Sequence, residues 1–120
     1  MKKKFDYYLK GLILQKKNSY LEKYSIVNKK DIYGIIDQLY WDIKVNRDDI
    51  YNYLTNKKAL DDETKKRFFI RLLTGSDWYT IISLLDKNHL QESLSDPVIN
   101  ILFPKSLRTR YLFARRLLFR

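Results

Sequence analysis

Apolar residues recur at helical spacing along almost the whole chain, and no other feature limits its possible folds so strongly. Phe5, Tyr8, Leu9, Leu12 and Ile13 follow the i, i+3, i+4, i+7, i+8 pattern. Ile32, Ile35, Ile36, Leu39 and Tyr40 repeat it, and shorter stripes follow at Ile50, Tyr53, Leu54, at Phe69, Leu72, Leu73 and at Trp78, Ile81, Ile82, Leu85. Period-two alternation occurs only in fragments, so a sheet has nothing to build on. The expected fold is all-α, a compact bundle of roughly six to eight short helices. The core is expected on Phe5, Leu9, Leu12, Ile35, Ile36, Leu39, Phe69, Leu72, Trp78, Ile82 and Leu85.

Breaks between the stripes carry capping chemistry. Ser19 and Glu22 have capping-box spacing for a short second helix, while Tyr24–Val27 reads as either helical or extended. Asn28 or Asp31, Asn46, Asp61 and Ser76 precede the next stripes, Asn88 and Gln91 again have box spacing, and Asp96-Pro97 reads as a cap followed by proline at the first helical position. Gly75 is expected just past a helix end. Pro104 closes what precedes it, and Ser106 is expected to cap a last helix over about 107–120, with Leu107, Tyr111, Ala114 and Leu118 on its inner stripe. At 120 residues the chain reads as one domain, with a basic arm at residues 1–4 and this Arg-rich helix at the other end.

Aromatic content separates the chain from a disordered basic tail: 15% of residues are Phe, Trp or Tyr, enough to build a core. No apolar run reaches the roughly 18 residues of a membrane span, so no membrane partner is expected. No signal-type apolar stretch follows Met1-Lys2-Lys3-Lys4, which points to a cytoplasmic setting. With no Cys and one His, disulfide frameworks, Cys-ligated zinc, thiol nucleophiles and paired-His metal sites are excluded.

Catalytic constellations are missing as well. Asp48-Asp49 and Asp61-Asp62-Glu63 fall where helix first turns are expected, and capping accounts for them without a metal. His89 reads as a surface or capping residue, since no partner or pocket for a general base is legible. No serine lies in a G-x-S-x-G context, and three isolated glycines make no phosphate-cradling loop. The expectation is a protein that is not an enzyme and carries neither metal nor small-molecule cofactor.

Charge is the informative quantity. Of the net +10, residues 1–30 carry nine Lys against Asp6 and Glu22, residues 31–104 are mildly acidic, and residues 105–120 hold six cations and no acid. Five of the eight Arg fall in the last 13 residues. Cationic ends on a mildly acidic middle call for a polyanion. The candidate nucleic-acid-binding residues are Lys2, Lys3, Lys4, Lys16, Lys17, Arg108, Arg110, Arg115, Arg116 and Arg120. Lys29-Lys30 add charge to the same half. Arg108 and Arg115, seven apart, share one face of the last helix, and Arg116 and Arg120 share another. Arg suits bidentate phosphate contact, and phosphate contacts position a protein without specifying sequence, so RNA and DNA both stay open. The alternative is an inhibitor or antitoxin whose cationic face blocks a nucleic-acid-processing enzyme such as a nuclease, nucleotidyltransferase or CRISPR effector.

A helix-turn-helix over Asn46–Leu54 and Asp61–Leu73 would present Lys65, Lys66, Arg67 and Arg71, but its turn, Thr55–Leu60, is longer than the motif's usual three or four residues and lacks Gly. A plain helical hairpin is the more economical reading. Tyr40-Trp41 is expected in the core rather than as a platform for bases.

Two stretches carry a resemblance. Tyr40-Trp41-Asp42-Ile43, then Lys66-Arg67-Phe68-Phe69-Ile70-Arg71-Leu72-Leu73-Thr74-Gly75 and Trp78, resemble a small helical domain of Bacteroidetes-type bacteria encoded beside AbiEii-type nucleotidyltransferase toxins. Leu102-Phe103-Pro104-Lys105-Ser106-Leu107-Arg108-Thr109-Arg110-Tyr111 is similar to the closing segment of such proteins, and the matches cover under half of the chain. The resemblance implies a small non-catalytic partner or regulator in a toxin–antitoxin or phage-conflict locus. An anti-CRISPR protein fits the same size and basicity.

Overall fold

Side-chain oxygens placed nine to eighteen residues apart cut the chain into short helices. The computed structural model describes residues 28–119, which hold seven helices and no strand. They are α1 (Lys29–Leu39), α2 (Arg47–Leu54), α3 (Asp62–Gly75), α4 (Trp78–Leu84), α5 (Lys87–Ser93), α6 (Asp96–Ile99) and α7 (Lys105–Leu118). The all-α expectation holds. The expected helix on Phe5–Ile13, the one after Ser19 and the Tyr24–Val27 stretch lie outside the described residues.

Five helices begin on a side chain that accepts the N–H three residues on. Asn28 accepts from Asp31 at 2.9 Å, Asn46 from Asp49 at 3.2 Å, Asp61 from Thr64 at 2.9 Å, Asp77 from Thr80 at 2.7 Å and Asp86 from His89 at 2.8 Å. Each such cap contributes about 1 kcal/mol. Several starts differ from expectation. Asp77 takes the role expected of Ser76, Asp86 that of Asn88, and Ser95 precedes α6 with Asp96-Pro97 already inside it. Pro104 precedes α7, so Ser106 lies within the helix rather than at its cap. Gly75 is the last residue of α3 with ordinary negative φ, and a Cβ there would stand 3.4 Å from a Leu39 methyl.

Helices of four to fourteen residues are not stable alone, so packing holds them. α3 is the centre: Phe68, Phe69, Leu72 and Leu73 are at most 1% exposed, and the helix touches α1, α5 and α6. Two consecutive buried Phe widen its inner face beyond the predicted stripe, and their rings lie 5.8 Å apart. α1 packs on α2, and Ile32, Ile36 and Ile50 of the two helices are buried in the core. Trp78 of α4 meets Tyr111 of α7 with ring centres 6.5 Å apart, closing the bundle. Of the expected core, Ile36, Leu39, Phe69, Leu72, Trp78, Ile82 and Leu85 are buried and Ile35 half-buried, while Phe5, Leu9 and Leu12 lie outside the described residues. Among the described residues no helix is long and apolar enough to cross a membrane.

One helical position is unexplained by packing. Gly34 sits mid-way along α1, exposed, and a Cβ there would meet nothing within 4 Å among the described residues. Glycine inside a helix costs about 1 kcal/mol relative to Ala, and here neither a turn nor a close neighbour requires it.

Candidate nucleic-acid interface

The C-terminal helix spends part of its charge inside the molecule. Arg108 donates through Nε to the Leu102 carbonyl at 2.8 Å, and Arg115 donates to the Leu94 carbonyl at 3.2 Å and to the Asp96 carboxylate at 2.5 Å. Tyr111, between them on the same face, donates its hydroxyl to the Leu73 carbonyl at 2.6 Å. Leu73 lies in the last turn of α3, Leu94 caps α5 and Leu102 follows α6, so this face satisfies carbonyls that helix ends leave without partners. The face shared by Arg108 and Arg115 therefore points inward. Arg116 is exposed and Arg110 half-buried, while Lys2, Lys3, Lys4, Lys16, Lys17 and Arg120 lie outside the described residues.

The cations that a helix-turn-helix over α2 and α3 would present are likewise tied up. Lys65 bridges Glu92 at 2.8 Å, Arg67 pairs with Glu63 at 3.0 Å and Arg71 holds Asp42 at 2.8 Å, leaving Lys66 as the one cation of that set without an ion pair among the described residues. The Arg71 guanidinium beside Asp42 holds that carboxyl below the usual carboxylate range. Asp61 lies low because the side chain and N–H of Thr64 bond it, which agrees with capping as its role.

Cations without carboxylate partners gather elsewhere. Lys29 of α1 lies 5.2 Å from the centre of the Tyr51 ring on α2, and Lys57, from the loop after α2, lies 5.4 Å from the same ring. Tyr33 stands beside Tyr51 at 5.4 Å, with the Arg47 guanidinium 4.7 Å from its ring centre. Lys30 and Lys58 adjoin in sequence, and none of the four lysines makes an ion pair among the described residues. Carboxylates are present too: Arg47 pairs with Asp37 at 2.9 Å, and the Tyr33 hydroxyl donates to Asp48, which raises the Tyr33 pKa.

The loop bearing Lys57 and Lys58 is locked. Asn56 adopts φ 63°, the left-handed region an Asn tolerates, and its side chain donates to Asp86 at 3.0 Å. The N–H groups of Lys57 and Lys58 donate to the Asn52 carbonyl at 2.8 and 3.2 Å. The backbone that carries these two cations is thus held in place, while their side chains stay free to turn. Lys29 and Lys30 open α1, where the helix dipole favours anions over cations, so their placement serves no helix-stabilising purpose.

Two expectations need correction. Trp41 is 83% exposed, while only its neighbour Tyr40 enters the core. It borders a groove of about 520 Å³ together with Gln38, Arg71, Thr74, Asp77 and Thr80. His89 is buried rather than at the surface, its ring 4.4 Å from that of Tyr53. Its Nδ1 lies 2.9 Å from Asp86 with no hydrogen bond between them.

Sequence reasoning missed Tyr33, Arg47, Tyr51, Lys57 and Lys58. The i, i+4 pairs Lys29–Tyr33 and Arg47–Tyr51 were readable as shared helix faces, but the approach of Lys29 and Lys57 to one ring depends on how α1 and α2 pack. Comparison with family models, curated proteins and solved structures finds no match for this chain.

Proposed function

We propose that this chain is a non-enzymatic, nucleic-acid-binding regulator that meets phosphates through the lysines around Tyr51 and those of residues 1–27. The carrying observation is the convergence of Lys29 and Lys57 on one tyrosine ring, with Lys30 and Lys58 beside them and no ion pairs among the described residues. Residues 28–119 hold sixteen basic and twelve acidic residues, so most of the net +10 lies in residues 1–27 and Arg120, in sequence continuity with Lys29-Lys30. Lys2, Lys3, Lys4, Lys16 and Lys17 extend the same charge, and Arg116 offers an exposed guanidinium on α7. Such contacts release counterions and give strongly salt-dependent, weakly sequence-dependent binding. The resemblance of Tyr40–Ile43 and Lys66–Gly75 to domains encoded beside AbiEii-type toxins supports a cytoplasmic role in a toxin–antitoxin or phage-conflict locus.

The test is a salt titration of binding to labelled RNA, single-stranded DNA and duplex DNA, followed by anisotropy. A steep fall of log K with log salt is expected, and for single strands K57Q/K58Q lowers the slope by roughly 1.4, about 0.7 per lost phosphate contact. Absence of binding at low salt would overturn the reading. It would favour the other use of the same lysines, blocking an acidic site on a nuclease, nucleotidyltransferase or CRISPR effector.

A further inference from the structure

We propose that the outer face of α1 and the groove beside Trp41 take an unpaired nucleobase, so that the polyanion is a single strand. This rests on the phosphate-binding reading and adds its substrate class.

Three independent observations meet on this face. Trp41, immediately past the α1 C-cap Tyr40, is 83% exposed, although indole is among the side chains that gain most from being covered. An aromatic face held in solvent is a stacking surface for any base, since every base has a π-face. The adjoining groove of about 520 Å³ is of ligand size and mainly polar at its walls. Gln38 supplies an amide donor and acceptor, Thr74 and Thr80 hydroxyls, and Asp77 a carboxylate. A carboxylate repels phosphate but accepts from the amino groups of bases, so this chemistry selects a base edge over the backbone. Arg71 is fixed at the groove by Asp42 and by the Leu39 carbonyl at 2.8 Å, leaving the plane of its guanidinium in place.

Gly34 gives the third observation. Lys30, Gly34 and Gln38 are spaced i, i+4, i+8 and lie on one ridge of α1. That ridge runs from Lys30, next in sequence to Lys29, to Gln38 at the groove, and its middle position is bare where a side chain would meet nothing among the described residues. A missing side chain with no packing reason is what a closely approaching strand requires. The helix spans roughly 16 Å, about five stacked nucleotides at about 3.4 Å per step along one strand. A duplex cannot use this site, because its bases are already stacked on both faces.

The two tryptophans make the experiment direct: Trp41 is exposed and Trp78 is 5% exposed. Full-length protein is titrated with oligodeoxycytidylate and oligocytidylate dodecamers, whose bases carry the amino group that Asp77 can accept from, and with a duplex of equal length, reading tryptophan emission and the anisotropy of labelled strands. Single strands are expected to quench a signal that W41A lacks. W41A should bind them roughly 5- to 100-fold more weakly, with duplex binding unchanged. G34Q, whose helicity is checked by circular dichroism, should weaken single-strand binding in the same way, while K57Q/K58Q weakens single strand and duplex alike. Wild-type affinity of W41A and G34Q for single strands, with K57Q/K58Q still impaired, overturns the base site and leaves the phosphate reading standing. No binding of any oligonucleotide at low salt overturns both.

Discussion

Neighbouring arginines on α7 should answer in opposite ways to the same substitution. Arg115 is 35% exposed and donates to the Leu94 carbonyl and the Asp96 carboxylate, whereas Arg116 is exposed with neither a hydrogen bond nor an ion pair among the described residues. In R115A the Asp96 pair, whose carboxylate is 69% exposed, accounts for no more than about 1 kcal/mol. The Leu94 carbonyl, left without its charged donor, adds about 1–2 kcal/mol. The lost packing of the aliphatic stem acts in the same direction. The expected destabilisation is about 1.5–3 kcal/mol, against a change within about 0.5 kcal/mol for R116A. Urea denaturation at neutral pH reads this as a midpoint lower by about 1 M for R115A, with unchanged slope, and an unmoved midpoint for R116A. For oligonucleotide binding the order reverses, because only Arg116 presents its charge outward. Equal midpoints for the two variants would refute the inward assignment of the Arg108–Arg115 face.

G34A should raise stability by about 1 kcal/mol, since its methyl enters open space; a thermal melt checks this, and a lower midpoint would mean α1 is covered there. Y111F removes the donor to Leu73, which should cost about 1–2 kcal/mol in urea denaturation. Burial raises the Tyr111 hydroxyl to about 12, so its contribution to stability is complete below pH 10 and is lost between about pH 10 and 12. A phenolate absorbance titration of Y111F should lose one late-titrating tyrosine, while Tyr53, also raised by burial, remains. Asp42 is held low by Arg71, and Asp86 is low because bonds from the His89 N–H and the Asn56 side chain outweigh the opposing effect of burial. Their contribution is therefore present above the unfolded carboxyl range, near pH 4, and lost as pH falls through the depressed folded values. D42N and D86N should flatten the acid limb of the urea midpoint against pH, with the cap of α5 kept by Asn.

Helix starts were legible where an acceptor stood directly before a stripe, as at Asn46 and Asp61, while before α1 the sequence left Asn28 and Asp31 as alternatives and the structure uses Asn28. Starts were misplaced where several acceptors crowd together. Between Leu85 and Leu90, Asp86 and Asn88 can both cap, and burial of Leu85 as the C-cap of α4 leaves the next residue to begin α5. Trp41 was misplaced for a related reason. Tyr40 ends the helical period, and beyond it no periodicity says which way a side chain points. His89 illustrates a third limit, because its neighbour Tyr53 is thirty-six residues away in sequence and only the packing of α2 against α5 brings their rings together. The equal sharing of a face by Arg108 and Arg115 was readable from spacing, but whether that face met solvent or the ends of α5 and α6 was not.

A count of cations overstates how many are available to a partner, and the two cationic side chains do not lose availability alike. Among the described arginines, Arg47, Arg67 and Arg71 hold carboxylates, Arg108 holds a carbonyl and Arg115 holds both kinds of acceptor. Among the described lysines only Lys65 makes an ion pair. The planar guanidinium fork suits fixed acceptors, so folding draws on arginine first. What remains on the surface near Tyr51 is ammonium, a point charge on a flexible stem that meets phosphate without a preferred angle. A surface of that kind neutralises a backbone and does not read base edges in a duplex groove. Discrimination between nucleic acids must then come from somewhere other than these cations, and the exposed indole at the far end of α1 has the right chemistry to supply it.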